Sequence, residues 1–376
     1  MINSLLFICL SKKGFGGLEL QMANKTAEWN SRNIKALLIC YKNTPLHDYA
    51  LRQNIPHKAL HHHIEYYDPF TAWELLQIIL QEQIQTCIIG LSRSLSISVM
   101  ACRWAGKKAP SIIMFQQMIL KKKKKDFLHR MLYKHIDAAI VPSDFIIDML
   151  AANTTIPRDK IYTIPYGINT SLFSPAEPVQ KYQAKELLNI PQECILMILP
   201  ARFDIHKDQI TALRAFIQTQ NPDLHFLLVG NQDPASPGYF QECMNIIQTA
   251  PEHKKQNIHI MPFTDNFIQL LHAADIYVIT SPMETFALAL IQSMCCGLAC
   301  IGSNSGGTQY AIQHKINGLL CQPQNADQFC EAMDLLADNP KLRYSLGANA
   351  RSSALTHYDD QIIFNKTIQL LGSVSK

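Results

Sequence analysis

Two cations open the chemical reading. Arg202 and Lys207 stand five residues apart in the run Ala201-Arg202-Phe203-Asp204-Ile205-His206-Lys207. An apolar stretch, Ile195–Pro200, precedes the run, and a helix-like stretch follows it. Between a strand and a helix, two such cations suit a diphosphate, because they offset the charge that grows on a departing group. Two solvated surface charges would have the same sequence.

Further along, Glu284 and Gln292 follow the apolar run Ile276–Thr280. Their spacing of eight residues corresponds, on one helix, to a rise of about 12 Å and a net turn of about 80°. One group could then meet a sugar and the other a ribose. A favourable acid in a first helical turn is the plainer alternative. A glycine turn, Gly306-Gly307-Thr308, comes next, and its backbone N–H groups would suit phosphate. Near the N-terminus, Gly14-Phe15-Gly16-Gly17 lies between an apolar run and a helix-like one. A helix start with glycines favours an anion, although the dinucleotide fingerprint fails because Glu19 holds its third glycine position. A tight turn without ligand fits equally.

Two other clusters stand out. Lys121, Lys122, Lys123, Lys124 and Lys125 are consecutive; such a run fits an anionic lipid surface, a phosphorylated acceptor, or a solvated loop. His61, His62 and His63 are consecutive as well. Neighbouring strand residues point to opposite faces and converge poorly on a metal, so a polar strand end is expected. The eleven cysteines lack CxxC or zinc-finger spacing and read as reduced thiols, which suits the cytoplasm.

The elements that must hold these residues are strands alternating with helices. Strands are expected at 4–10, 34–40, 86–90, 111–115, 138–141 and 160–164, and again at 194–200, 224–230, 258–261, 276–280 and 299–302. Continuous apolar strands separated by helices imply parallel sheets covered on both faces. The 376 residues, 48% hydrophobic and 17% charged, suffice for two such domains. The expected division is residues 1–176, 177–357 and a last helix within 358–376 that crosses back. The prolines of Ser174–Gln180 place the linker. Net charge +4 gives no argument for nucleic acid. No apolar run reaches the roughly 18 residues of a membrane span.

The motif order resembles the retaining glycosyltransferases of family 4. Ile164-Pro165-Tyr166-Gly167-Ile168-Asn169 is similar to the family's PNGVD element, Ala201-Arg202 to Lys207 to GR…K, and Leu227–Gly230 to LVG. Ala274–Glu284 is similar to ADVFVLPS…E, Gly306-Gly307 to GG, and Asn317–Leu320 to NGLL. The resemblance implies an α/β fold of the GT-B type, two doubly wound Rossmann-like domains facing a central cleft. The N-terminal one would take the acceptor and the C-terminal one a nucleotide sugar. It implies that Arg202 and Lys207 hold the diphosphate and that Glu284 contacts the sugar. Gly16, Gly17, Gly230, Gln292, Gly306, Gly307 and Thr308 would line the donor site. It implies no metal and no cofactor, and a place in surface polysaccharide or lipopolysaccharide assembly at the inner face of the membrane, with a glycan or glycolipid acceptor. Three positions depart from the pattern. Gln117 stands where a histidine is frequent near the reacting carbon, Gln292 replaces a ribose-binding glutamate, and Tyr310 replaces a glutamate. An amide at 117 can position but not exchange protons. These departures keep open a catalytically impaired sugar-nucleotide-binding relative, or a nucleotide-sugar epimerase of the same fold.

Overall fold

A computed structural model describes residues 4–12, 15–64, 67–120 and 122–374. Two compact units are present. The first comprises the chain up to Pro165 together with residues from Phe364 onward; the second runs from Tyr166 to Ile363.

The first unit contains seven strands, β1 (Ser4–Ile8), β2 (Lys35–Tyr41), β3 (His57–Leu60), β4 (Thr86–Ile89), β5 (Ser111–Phe115), β6 (Ala138–Val141) and β7 (Ile161–Thr163). They form one parallel sheet in the order β3-β2-β1-β4-β5-β6-β7. The second unit contains β8 (Ile195–Pro200), β9 (Leu224–Val229), β10 (Ile258–Met261), β11 (Ile276–Ile279), β12 (Ala299–Ser303) and β13 (Leu319–Cys321). Its parallel order is β10-β9-β8-β11-β12-β13. In each sheet the chain reverses its direction of growth between the first and fourth strands. Ligands of open α/β sheets bind beyond the carboxyl ends at that switch point. Successive β8 residues serve opposite faces: Leu196 and Ile198 join one apolar core, Met197 and Leu199 another. Helices cover both.

The expected strand ranges leave out β3 and β13, both edge strands, although a strand end is expected at His61–His63, just past β3. The residues His57-Lys58-Ala59-Leu60 bury only Leu60, so no continuous apolar run announces them. The division between units also falls earlier than expected. Residues 166–173 are tied into the second unit: the N–H of Ile168 donates to Tyr358 O at 2.8 Å, and that of Asp360 to Ile168 O at 3.0 Å. A side chain at Gly167 would stand 2.8 Å from the Asp360 Cα. The prolines of 174–180 start a helix rather than stop structure, since Pro178 opens Pro178–Leu187. The last helix, Asp360–Val374, contributes its residues from Phe364 to the first unit. There Phe364 packs on Trp29 with ring centroids 4.8 Å apart, and Ser111 Oγ donates to Val374 O at 2.8 Å.

One titration is built into the second sheet. His225 and His259 stack at 5.3 Å with Nδ1 and Nε2 3.0 Å apart. Burial, then the neighbouring His259, lowers the His225 pKa to about 4. The unfolded imidazole protonates near 6.5 and therefore binds more protons than the folded one between those values. Stability should fall as pH drops from about 6.5 to about 4. Urea midpoints across this range should lose that slope in His225→Gln/His259→Gln; an unchanged slope would assign it elsewhere.

Candidate functional site

The second unit holds a cavity of about 230 Å³ at the carboxyl ends of β8 and β11, its switch point. Lys207, Thr280, Ser281 and Glu284 provide its polar lining, with Tyr277 and Phe286 among the apolar residues.

Lys207 reaches it from the loop after β8. Its N–H donates to Asp204 O at 2.7 Å, and Thr280 Oγ donates to the carbonyls of Lys207 and Asp208 at 3.1 and 2.8 Å. Asp208, in the left-handed region, caps helix Gln209–Gln218. Burial raises its pKa. Lys207 Nζ lies 2.5 Å from Glu284 Oε1. Two motifs 77 residues apart therefore meet as an ion pair on the cavity wall.

Arg202 sits differently. It is not among the cavity-lining residues; its side chain is 63% exposed and pairs with Asp233 at 2.6 Å and Asp204 at 3.9 Å. Its backbone is fixed by its neighbours. Phe203 N–H donates to Asn231 O, Asp233 N–H to Phe203 O, and Gln209 Nε2 to Arg202 O at 2.7 Å. Gly230 explains itself here by packing. A Cβ there would lie 2.1 Å from Ala201 O, so only glycine lets the loops after β8 and β9 close together.

Glu284 does not begin a helix, as the sequence had suggested. The helix starts at Leu288, and so Glu284 and Gln292 share no helical face. The cause is the glycine turn. Gly307 N–H donates to Glu284 O at 2.7 Å. A Cβ on Gly306 would stand 2.5 Å from the same oxygen, and one on Gly307 2.6 Å from Thr285 O. The chain before Leu288 is thus held against the turn, and the Gly307 N–H is committed to protein instead of being free for phosphate. The hydroxyls of Ser303, Ser305 and Thr308 are buried without a protein partner, and none of the three residues is among the cavity-lining ones. Gln292 is half-buried and is not among the cavity-lining residues, and Tyr310 is exposed.

In the first unit, Gly16 is the N-cap of helix Gly17–Ser31, at the carboxyl end of β1. Its N–H donates to Glu19 Oε2 at 3.0 Å. The acid that broke the dinucleotide fingerprint therefore occupies the anion position at this helix start. Gly17 has open space where a side chain would be. Gln117 follows β5, is buried, and its Nε2 has no protein partner. Of the lysine run, Lys121 lies outside the described residues, as do Lys13 and Gly14. Lys122, Lys123 and Lys125 are exposed, while Lys124 Nζ donates to Ser92 Oγ at 3.0 Å. His61 and His63 both turn to Glu74 Oε1, at 3.2 and 3.6 Å, and His62 packs edge-on to Tyr41. Among the described residues no cluster of three or more His, Cys, Asp or Glu is arranged to hold a metal. All eleven cysteines are unpaired thiols.

Residues 15–172 match the family described as Glycosyltransferase Family 4, and residues 180–353 match glycosyl transferases group 1. The chain belongs to the family 4 glycosyltransferases. Among curated relatives of this family 4 chain is the N,N'-diacetylbacillosaminyl-diphospho-undecaprenol alpha-1,3-N-acetylgalactosaminyltransferase of Campylobacter jejuni. It is 28% identical over 60% of this chain and 57% of its own length. The UDP-Gal:alpha-D-GlcNAc-diphosphoundecaprenol alpha-1,3-galactosyltransferase of Escherichia coli is 24% identical over 53% of this chain and 51% of its own. The chain thus spans somewhat more than half the length of these relatives. The Anabaena HepE structure in complex with UDP superposes with a TM-score of 0.84, covering 99% of this chain and all of that one at 16% identity. At that identity it establishes the GT-B fold, two Rossmann-like units.

Sequence reasoning overlooked Asp233, Gln209 and the hydroxyls of Ser303 and Ser305, although it named Thr308. Only Asp233 left a trace, an acid just past the glycine that ends the second strand of its sheet, placed to meet a cation from the first.

Proposed function

We propose that this family 4 chain transfers a sugar, with retention, from a nucleoside-diphosphate sugar to a hydroxyl of a lipid-linked glycan. The observation that carries the proposal is the meeting of Lys207 and Glu284 at the switch-point cavity. Lys207 takes the diphosphate; Arg202, swung from Asp233, adds a second cation. Glu284 accepts hydrogen bonds from sugar hydroxyls. As the anomeric carbon–oxygen bond to the diphosphate breaks, the acceptor oxygen bonds on the same face. Its proton passes to the departing phosphate. Cationic side chains carry the charge a metal would otherwise carry, so the reaction proceeds without one. Gln117 positions the acceptor through its amide.

The comparisons support the substrate classes. The HepE structure holds UDP, and the two curated relatives are named for diphospho-undecaprenol acceptors. Surface-glycan or lipopolysaccharide assembly at the cytoplasmic face of the membrane follows as the setting. No helix among the described residues is long and apolar enough to cross a membrane, which makes contact with the lipid peripheral in this reading.

Melting a panel of UDP-, GDP- and ADP-sugars with the protein tests the proposal. One donor should stabilise the fold, by about 2.7 kcal/mol at a hundredfold excess over Kd. The same donor with a lipid-linked acceptor should give a product of unchanged anomeric configuration. Stabilisation without transfer would favour the binding-only relative suggested by Gln117, Gln292 and Tyr310. An altered sugar formed without acceptor would favour an epimerase. No stabilisation by any nucleotide removes the reading altogether.

A further inference from the structure

A second cavity, of about 340 Å³, lies within the second unit and shares no lining residue with the first. Asp275 and Leu298 line it and immediately precede β11 and β12. It therefore opens at the amino ends of these strands, opposite the edge that carries Lys207 and Glu284. Two helices bring a cation to it in the same way. Pro178–Leu187 and Pro340–His357 each begin with proline, and the fourth residue of each, Lys181 and Arg343, lines the cavity. The dipole of a helix start favours an anion there.

Hydrogens remain on both cations. Arg343 commits Nη1 to the carbonyls of Leu336 and Ala337, at 2.5 and 3.2 Å, and no carboxylate pairs with it among the described residues. Its Nε and Nη2 hydrogens are left, a fork that can take two phosphate oxygens at once. Lys181 Nζ lies 2.5 Å from Asp275 Oδ1 and has two further hydrogens. Asp275, the acid on the lining, is engaged at both oxygens, since its Oδ2 accepts from the Leu196 N–H at 2.9 Å. The helix Leu288–Cys295 that ends here is closed too. The N–H groups of Cys296, Gly297 and Leu298 take the carbonyls of Gln292, Met294 and Ser293, so its last turn does not present those carbonyls to a ligand. His272 Nε2 stands 3.2 Å from Ser174 O. Donation there leaves Nδ1 as an acceptor. Tyr344, 80% exposed, offers a ring face at the rim.

From this set we infer that the amino-edge cavity binds a small phosphomonoester carrying hydroxyls, of the sugar phosphate class. Its phosphate oxygens accept from the Arg343 fork and from Lys181. A ligand hydroxyl donates to His272 Nδ1, and the carbon skeleton lies against Tyr344. The cavity volume falls within the range of small-molecule sites, about 300–1,000 Å³. The inference goes beyond sugar transfer and does not rest on it, because no residue it uses belongs to the switch-point cavity.

Equilibrium dialysis of the full chain against labelled glucose 6-phosphate tests it without any sugar donor or acceptor. One site per chain should fill, and excess UDP should not empty it. Inorganic phosphate should bind more weakly than glucose 6-phosphate, and free glucose should not compete. Arg343→Lys keeps the charge and loses the fork, and should weaken binding about 10–100-fold, the contribution of hydrogen bonds to a charged group. Arg343 also holds the end of the preceding helix, so Ala176→Glu serves as a second variant. Its carboxylate would enter the cavity away from that helix end, and should abolish binding while the protein melts like the parent. No binding, displacement by UDP, equal affinity for inorganic phosphate, or unchanged affinity in either variant overturns the inference.

Discussion

Lys207→Ala lowers the transfer rate about 10²–10³-fold, the loss seen when one preorganised transition-state donor is removed. The expectation rests on placement. Lys207 is the cation on the cavity wall, held by its own turn and by the Thr280 hydroxyl. It also neutralises Glu284, so a lost rate could reflect an unpaired carboxylate rather than a lost phosphate contact. A double-mutant cycle separates the two. If Lys207 serves only Glu284, Lys207→Ala/Glu284→Gln is no slower than Glu284→Gln alone. If it grips phosphate, the double variant is slower than Glu284→Gln by about the factor that Lys207→Ala costs the parent. Arg202→Ala should cost less than Lys207→Ala, because its guanidinium is exposed and engaged with Asp233. Steady-state kinetics on the parent and these variants decide it, and a parent-like rate in Arg202→Ala/Lys207→Ala would remove both residues from the mechanism.

Gly306→Ala should damage both the fold of the second unit and its candidate site. Its φ of +51° lies in the left-handed region, and an added Cβ would stand 2.5 Å from Glu284 O and 2.8 Å from Glu284 N. Backbone cannot give way as a flexible side chain does. Overpacking of this kind costs about 1–3 kcal/mol, and the strained φ adds to it. The damage also reaches the site, since the displaced atoms belong to the residue that pairs with Lys207. Thermal unfolding should show a lowered midpoint, and donor-induced stabilisation should shrink as well. A variant that melts and binds like the parent would mean that the turn and residue 284 are not held together as described.

The sheets were legible because their central strands bury both faces. Stretches such as Ile195–Pro200 and Ile276–Ile279 are apolar without a break, and no other element accounts for that. β3 was legible only as a polar strand end, because it buries Leu60 alone and has no apolar run. At the site, residue types could be read and partners could not. Arg202 and Lys207 look equivalent in the sequence, yet one faces the cavity and the other is drawn aside by Asp233, whose approach depends on Gly230 lacking a side chain. Likewise, Glu284 carries every local sign of a helix start. A turn more than twenty residues later, Gly306-Gly307, overrides those signs by taking its carbonyl. Local propensity yields wherever a distant backbone competes for the same hydrogen bond.

The last helix imposes an order of manufacture. A chain leaves the ribosome from its N-terminus, and everything that the second unit needs has emerged once Ile363 is clear. The first unit, though begun earlier, still waits for Phe364 to cover Trp29 and for Val374 to take the hydrogen of Ser111. The half synthesised first is thus the half completed last.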